Sequence, residues 1–252
     1  MRVGLVLIAA LTLAAPAFGA AQAPAKKPAP KASVKPAAKP AAKPAVKPAP
    51  WTSVVVRTPQ GFRMGNPNAA VKLVEYGSRT CPVCGAFGRD SAAPLKAYVA
   101  SGKLSLEFRE FLVHGQPDIA PALLGRCGGT AKFFPILERM YAEQAPVEEK
   151  LAAPAARDLG SKMQTQPALE VGKAWADYLG YIPFMAKLGI APAQSSACLA
   201  NAKELDQILF VMSDAQDKLN VHGTPSFFIN DKPAEGAYSW ATLEPMLKAA
   251  GA

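Results

Sequence analysis

Two cysteines separated by two residues, Cys81 and Cys84, carry the clearest chemical signal in this sequence. The β-rich stretch 71–76 ahead of them predicts a strand, and Pro82 suits the first position of a helix because its missing N–H is not needed there. The free N–H groups and the dipole of that helix would stabilise a thiolate at Cys81, which is the reactive form of cysteine. The pair is therefore expected to change between dithiol and disulfide.

The same two cysteines could instead form half of a zinc site. A complete site needs a second pair of ligands, but Cys127 and Cys198 stand singly, without a second CxxC or a nearby histidine. We therefore expect neither a metal nor an organic cofactor, and we interpret Cys81 and Cys84 as a redox pair.

The beginning of the chain has the pattern of an export signal. Arg2 is followed by an apolar run over 3–15, which is shorter than the roughly 20 residues that a membrane-spanning helix needs. Small residues follow, so we expect a signal peptide over 1–23 that is cut between Gly19 and Ala23. An uncleaved membrane anchor is the alternative. Export to the periplasm would make the cysteines candidates for disulfides.

Residues 24–50 form a low-complexity segment with eight prolines, seven lysines and no acidic residue. This composition predicts a disordered, polyproline-like tether, either solvated or in contact with anionic polymers. Together with Arg2, its lysines supply eight of the net charge of +9, because residues 51–252 hold 20 basic and 19 acidic residues. The basic character therefore does not indicate a nucleic-acid-binding domain.

Residues 51–252 are enough for one domain that begins with a β-α-β unit. The elements predicted for its first half are a strand at 54–57, a turn at 61–67, a strand at 71–76, a helix at 82–102 and a strand at 104–111. The last of these alternates apolar and polar residues. We expect a kink or break of the helix at Pro94, and parallel strands with a right-handed crossover.

The second half of the domain is mostly helical by its periodicity and composition. The predicted elements are helices at 119–144, 167–188 and 195–220, a strand at 225–230 with a turn at 230–231, and a last helix at 240–250. The fold class is therefore α/β, with a helical segment inserted between strands.

In these features the sequence resembles the DsbA-like thiol:disulfide oxidoreductases, which have a thioredoxin fold with an inserted helical domain. The resemblance covers 51–252, with the insertion at about 115–220. It rests on Glu75 ahead of the CxxC, on a Gly-Thr-Pro loop within 221–229, and on single cysteines in the insertion. It implies that the chain is an enzyme of thiol–disulfide exchange.

The resemblance also assigns roles to site residues. Cys81 would be attacked by a substrate thiolate, and Cys84 would be the buried partner. Glu75 would be a buried acid that moves protons to or from Cys84, although a surface glutamate on an edge strand is the alternative. Pro225 would be cis and would expose the backbone of Thr224 for pairing with an extended substrate.

The remaining cysteines and histidines have weaker assignments. The resemblance implies a structural disulfide between Cys127 and Cys198, with two buried free thiols as the alternative. His222 precedes the Gly-Thr-Pro loop and is either near the sulfurs or an exposed loop residue. His114 follows a predicted strand, and we assign it no role.

The resemblance predicts an oxidase that introduces disulfides into secreted or envelope proteins, acts as a monomer and is reoxidised by a membrane partner. Val83 stands where the strongest oxidase of the family has histidine, so we expect a weaker oxidant. Thr224 resembles the residue found in disulfide isomerases and in Gram-positive-type oxidases. A reductase or isomerase of the same fold therefore stays open, as does a tethered chaperone or metal-handling module without enzymatic activity.

Overall fold

The structure is a computed structural model that describes residues 50–252. The expected signal peptide at 1–23, and all but the last residue of the expected tether at 24–50, lie outside the described residues. Within the described part, no helix combines the length and the apolar character needed to cross a membrane.

A six-stranded mixed sheet forms the centre of the fold. Its strands are β1 (Val55–Arg57), β2 (Phe62–Gly65), β3 (Val71–Gly77), β4 (Leu104–Glu110), β5 (Ser226–Ile229) and β6 (Lys232–Pro233). They lie in the order β1-β2-β4-β3-β5-β6. Strands β3 and β4 are parallel and the other neighbours are antiparallel. The predicted parallel β-α-β unit is thereby confirmed.

Ten α-helices accompany this sheet in the described residues, after a short 3-10 turn at Trp51–Ser53. The helices are α1 (Pro82–Ala100), α2 (Gln116–Arg126), α3 (Gly129–Ala142), α4 (Ala145–Ala152), α5 (Pro154–Met163), α6 (Ala168–Leu179), α7 (Tyr181–Lys187), α8 (Pro192–Leu199), α9 (Ala202–Leu219) and α10 (Trp240–Ala249). Helix α1 joins β3 to β4, and helices α2 to α9 form the insertion between β4 and β5. The predicted α/β fold with a helical insertion is confirmed.

The predicted turn at 61–67 is wrong in its first part, which forms β2. Phe62 pairs with Phe108 of β4, and its side chain is buried and stacked on Phe133. Four residues are too few to show a period, and β4, one of the two strands that β2 pairs with, lies about forty residues further along the chain. Tertiary pairing therefore decides this strand rather than local pattern.

Helix α1 does not break at Pro94. It runs without interruption from Pro82 to Ala100, and buries Phe87, Leu95 and Val99 in the main core. Burial of these side chains offsets the free-energy cost of the backbone hydrogen bond that Pro94 cannot make.

The helical insertion is more divided than its periodicity predicts. The expected helix at 119–144 is two helices, because Cys127 and Gly128 lie between α2 and α3, and Gly129 at the start of α3 has a φ of +59°. Helices α4 and α5 were not predicted, although Pro146 and Pro154 stand in the first turn of each, where proline is favoured. The insertion has its own apolar core, which includes Trp175.

Candidate active site

Cys81 and Cys84 lie where the end of β3 leads into α1, and both are free thiols. Cys81 is the N-cap of α1, and its Sγ accepts a hydrogen bond from the backbone N–H of Cys84 at 3.5 Å. Only 5% of Cys81 is exposed, and Cys84 is fully buried. The outer sulfur therefore belongs to Cys81, and Cys84 lies one turn deeper.

The two thiols differ in their acidity. A hydrogen bond from the Cys84 side chain lowers the pKa of Cys81 to about 5, against the opposing effect of burial and with help from Thr224 and backbone N–H groups. Burial raises the pKa of Cys84 well above its usual range, and the hydrogen bond to Cys81 raises it further. At neutral pH the reduced site therefore holds a thiolate on Cys81 and a thiol on Cys84.

The loop before β5 contacts the outer sulfur. The Thr224–Pro225 peptide bond is cis, and the Cys81 Sγ lies 3.4 Å from the backbone oxygen of Thr224. Pro225 is buried and has no N–H group. The structure thus brings Thr224 and Pro225 next to Cys81, from more than 140 residues away in sequence.

Glu75 lies in β3 beside the pair, with β4 on one side and β5 on the other. It is 4% exposed, and its Oε1 has no hydrogen-bond partner in the described part of the chain. Burial raises the pKa of Glu75 to about 8, and the negative charges of Cys81 and Glu110 add to the effect. The carboxyl group therefore holds a proton at neutral pH. It is not a surface glutamate on an edge strand.

A buried arginine precedes the cysteines and was not identified from the sequence. The Arg79 side chain is 0% exposed, and its Nη2 donates to the Glu110 Oε1 at 2.8 Å. Arg126 lies 3.9 Å from the same oxygen, and its Nη1 donates to Glu204 at 2.7 Å. This ion-pair network ties the active-site loop to β4, α2 and α9.

Gln144 also fixes the active-site loop and was likewise missed. Its Nε2 donates to the backbone oxygens of Arg79, at 3.2 Å, and Cys81, at 3.0 Å. A Cβ on Gly85 would lie only 1.8 Å from the Gln144 Oε1, so this turn of α1 has no room for a side chain.

A polar cluster formed by Ser78, Thr80, His114 and Asp118 lies directly before Cys81. The Asp118 carboxylate is buried and accepts from the hydroxyls of Ser78 and Thr80 and from the backbone N–H of His114. The Thr80 Oγ1 lies 2.7 Å from the His114 Nδ1. The sequence could have indicated this cluster, because Ser78 and Thr80 follow β3 and His114 follows β4. Parallel strands bring the residues that follow them to the same edge of the sheet.

The family of this chain follows from its similarity to known proteins. The family model described as Thioredoxin matches residues 57–249. A crystal structure named as the protein-disulfide isomerase of Novosphingobium aromaticivorans is 30% identical, with a TM-score of 0.69, and the match covers 74% of this chain and 95% of that one. This chain is a DsbA-like member of the thioredoxin family.

Other relatives of this DsbA-like chain share less of its sequence or length. A Rickettsia conorii protein, whose name assigns it to the protein-disulfide oxidoreductases, is 30% identical over 71% of this chain and 56% of its own. The chain thus spans about half the length of the curated Rickettsia relatives that it matches. Alpha-DsbA1 of Wolbachia pipientis is 20% identical with a TM-score of 0.56, and the match covers 74% of this chain and 88% of that one. That likeness is one of fold.

The single cysteines of the DsbA-like chain are joined in the insertion. Cys127, which follows α2, and Cys198 of α8 form a disulfide with a Cα–Cα distance of 5.7 Å. They are not free thiols. Within the described residues, no group of three or more histidine, cysteine or acidic side chains is placed to hold a metal ion.

His222 lies apart from the dithiol network of the DsbA-like site. Its side chain is exposed, and its Nε2 lies 2.9 Å from the Asn220 Oδ1. The histidine that interacts with the active-site loop is His114, for which no role was predicted.

Proposed function

We propose that this chain is a protein-disulfide oxidoreductase of the cell envelope that introduces disulfides into exported proteins through Cys81 and Cys84. The unequal acidity of the two thiols carries the proposal. A pKa of about 5 for Cys81 stabilises the reduced form as a thiolate. Because the reduced form is favoured, the Cys81–Cys84 disulfide is an oxidant.

The first step would oxidise one substrate thiol. A substrate thiolate attacks the Cys81 sulfur of the Cys81–Cys84 disulfide, so that a bond forms between substrate and Cys81 while the Cys81–Cys84 bond breaks. Cys84 leaves as a thiolate and takes up a proton, consistent with its raised pKa. Glu75, which is protonated at neutral pH and buried beside the pair, is the proposed proton donor.

The second step would release the product. A second substrate thiolate attacks the substrate sulfur of the mixed disulfide, a substrate disulfide forms, and Cys81 leaves as a thiolate. A low pKa makes Cys81 a good leaving group. Two electrons have then passed from the substrate dithiol to the Cys81–Cys84 pair, and a membrane redox partner would remove them.

The loop at Thr224 would hold the substrate during this exchange. Its backbone oxygen lies next to the Cys81 sulfur, and an extended peptide could pair with the backbone there as an added strand. Side-chain-independent pairing suits an enzyme that acts on many reduced, unfolded proteins. We further propose that the chain acts as a monomer.

Export to the periplasm is part of the proposal. The apolar run over 3–15 followed by small residues supports a signal peptide, and the disulfide between Cys127 and Cys198 is typical of proteins in oxidising compartments. After cleavage the tether at 24–50 would precede the folded domain, and if the signal is not cut it would separate the domain from the membrane.

Isomerase activity is the second candidate, because a protein named as an isomerase is 30% identical over most of its length. An isomerase uses the reduced pair: the Cys81 thiolate attacks a non-native disulfide of the substrate and forms a mixed disulfide. A substrate thiolate then attacks this mixed disulfide, and the enzyme is released with both cysteines reduced. Refolding of scrambled ribonuclease A without added oxidant would show this activity. Refolding of reduced ribonuclease A by the stoichiometric disulfide form would show oxidase activity.

The direct test is the reduction potential of the Cys81–Cys84 pair. The full chain is equilibrated with reduced and oxidised glutathione and alkylated, and the peptide that contains both cysteines is quantified by mass spectrometry. A potential above about −200 mV supports the oxidase, whereas one near or below about −270 mV, as in reducing thioredoxins, overturns it. Cys81→Ser must abolish exchange, while Cys84→Ser should accumulate the mixed disulfide.

A further inference from the structure

The dithiol site lacks a positive charge between its two cysteines. Val83 cannot donate a side-chain hydrogen bond or carry a charge, and 47% of it is exposed to solvent. A nearby cation would stabilise the Cys81 thiolate. Histidine is the residue type whose positive charge appears near neutral pH, and the chain has two histidines.

Hydrogen bonds hold His114 against the residue that precedes Cys81. The His114 Nδ1 lies 2.7 Å from the Thr80 Oγ1, and the same hydroxyl donates to Asp118. The backbone N–H of His114 donates to the other carboxylate oxygen of Asp118 at 2.9 Å. One buried carboxylate therefore fixes both the backbone of His114 and the side chain that contacts its ring.

The same carboxylate orders the active-site loop. Ser78 donates to the Asp118 Oδ2 at 3.1 Å, and the Ser78 hydroxyl in turn accepts from the backbone N–H of Thr80 at 3.1 Å. Displacement of Asp118 would free both residues, and Cys81 follows directly.

We propose that Asp118 and His114 are positioning residues of the dithiol site, in which Asp118 holds the loop before Cys81 and the His114 ring, and His114, whose ring contacts Thr80 next to Cys81, supplies a positive charge near the Cys81 thiolate. The charge that Val83 cannot provide thus comes from the connection between β4 and α2. This inference rests on the proposed thiol chemistry of Cys81.

The charged groups around His114 support this assignment. They are Asp118, the Cys81 thiolate at the start of α1, and Arg157 of α5, which lines the same open groove as His114. The interaction with Asp118, whose Oδ1 lies 3.6 Å from the His114 Nδ1, and the charge of Cys81 raise the pKa of His114 against the effect of burial. Coupling between two sites is reciprocal, so the imidazolium must in turn favour the thiolate.

The test compares His114→Gln with His222→Gln, which changes the other histidine in an exposed loop outside the network. The equilibrium constant of the Cys81–Cys84 pair with glutathione is measured for the full chain at pH 6 and pH 9. Because 42% of the His114 side chain is exposed, solvent weakens the interaction. At pH 6 we expect His114→Gln to raise the pKa of Cys81 by about half a unit. The equilibrium constant with glutathione should change by about threefold, and the Cys81–Cys84 disulfide should become a weaker oxidant.

The pH dependence separates charge from structure. His114 loses its charge as the pH rises through its pKa, so His114→Gln should match the wild type at pH 9. His114→Lys keeps a positive charge at pH 6 and at pH 9, so the contribution of position 114 to the equilibrium constant should be the same at both pH values. Equal constants for His114→Gln and His222→Gln at pH 6 overturn the inference, as does an equal offset at both pH values.

Nuclear magnetic resonance tests the reciprocal effect without relying on redox activity. In the reduced chain, Cys81→Ser removes the thiolate, and the pKa of His114 should fall while that of His222 stays the same. An unchanged His114 pKa contradicts the inference. If this effect is found but the wild-type pair is as reducing as that of thioredoxins, the oxidase proposal fails and the positioning role of His114 stands.

Asp118→Asn tests the other half of the proposal. It keeps the shape of the side chain but removes the charge that favours the imidazolium, so the pKa of His114 should fall below its wild-type value. If this variant does not fold, Thr80→Val is measured instead, because it removes the hydroxyl that joins His114 to Asp118. A wild-type His114 pKa in the variant that folds contradicts the role of Asp118.

Discussion

The Cys81 sulfur lies 3.4 Å from the backbone oxygen of Thr224, although 143 residues separate them in sequence. The first residue follows β3 and the second precedes β5, and these strands are direct neighbours in the sheet. Antiparallel pairing of β3 with β5 brings the end of one strand to the beginning of the other. The site therefore forms only when the strands on both sides of the helical insertion are paired.

Removal of the Cys84 side chain should raise the pKa of Cys81. The hydrogen bond from Cys84 is the largest cause of the low pKa of about 5, so Cys84→Ala should bring it towards the usual value near 9. Cys84→Ser keeps a donor and should have a smaller effect. Thiolate absorbance at 240 nm against pH measures both variants, and a pKa that stays at 5 in Cys84→Ala would contradict the assigned cause.

Glu75→Gln should change how stability depends on pH. Glu75 loses its proton near pH 4.5 in the unfolded chain and near pH 8 in the folded one, so its contribution to the free energy of unfolding falls as the pH rises between these values. Relative to the wild type, Glu75→Gln should gain on the order of 3 to 5 kcal/mol from pH 4.5 to pH 8.

Urea unfolding of the reduced proteins at several pH values checks the Glu75 prediction. Glu235→Gln, which changes an exposed acid, is the matched control and should follow the wild type. A constant difference between Glu75→Gln and the wild type across this range would show that Glu75 titrates normally.

The buried ion pair between Arg79 and Glu110 should be costly to break on one side. Arg79→Met leaves a buried carboxylate with only Arg126 nearby, and should lower the free energy of unfolding by about 3 kcal/mol. Arg139→Met breaks an exposed pair with Glu143 and should cost less than about 1 kcal/mol. Similar losses for the two variants in urea unfolding would contradict the importance of burial.

Loss of the disulfide in the insertion should lower stability but leave the dithiol chemistry intact. Cys127 and Cys198 are 71 residues apart, and a cross-link of that length restricts the unfolded chain by about 4 kcal/mol in the entropy model. The double variant Cys127→Ser, Cys198→Ser should unfold at correspondingly lower urea concentration. A loss below about 1 kcal/mol, or a shifted Cys81 pKa, would be the contrary result.

Gly85→Ala should disturb the active-site loop through Gln144. The added Cβ would lie 1.8 Å from the Gln144 Oε1, and we expect a loss of about 1 to 3 kcal/mol. Gly160→Ala in α5 meets nothing closer than 3.8 Å and should be neutral or stabilising. In a double-mutant cycle, Gln144→Ala should recover part of the Gly85→Ala loss, and strictly additive losses would exclude this clash.

Local patterns were enough to predict the β-α-β unit and the cysteine-bearing helix start. The apolar run before Cys81 and the proline after it are signals carried by adjacent residues. The strict alternation at 104–111 predicted a strand correctly but not its environment, because only Arg109 of β4 is partly exposed and both faces are otherwise covered. Alternation alone does not reveal helices packed on the second face.

The sequence by itself determined the thioredoxin-like order of elements and the positions of Cys81, Cys84 and Glu75, since each depends on residues close to it in the chain. Only the tertiary structure decided the pairing of β2 with β4, the buried partner of Arg79 and the place of His114 beside the dithiol loop. These features arise where parallel strands end at one edge of the sheet and the insertion packs over it. Such contacts join residues far apart in sequence, and no local pattern records them.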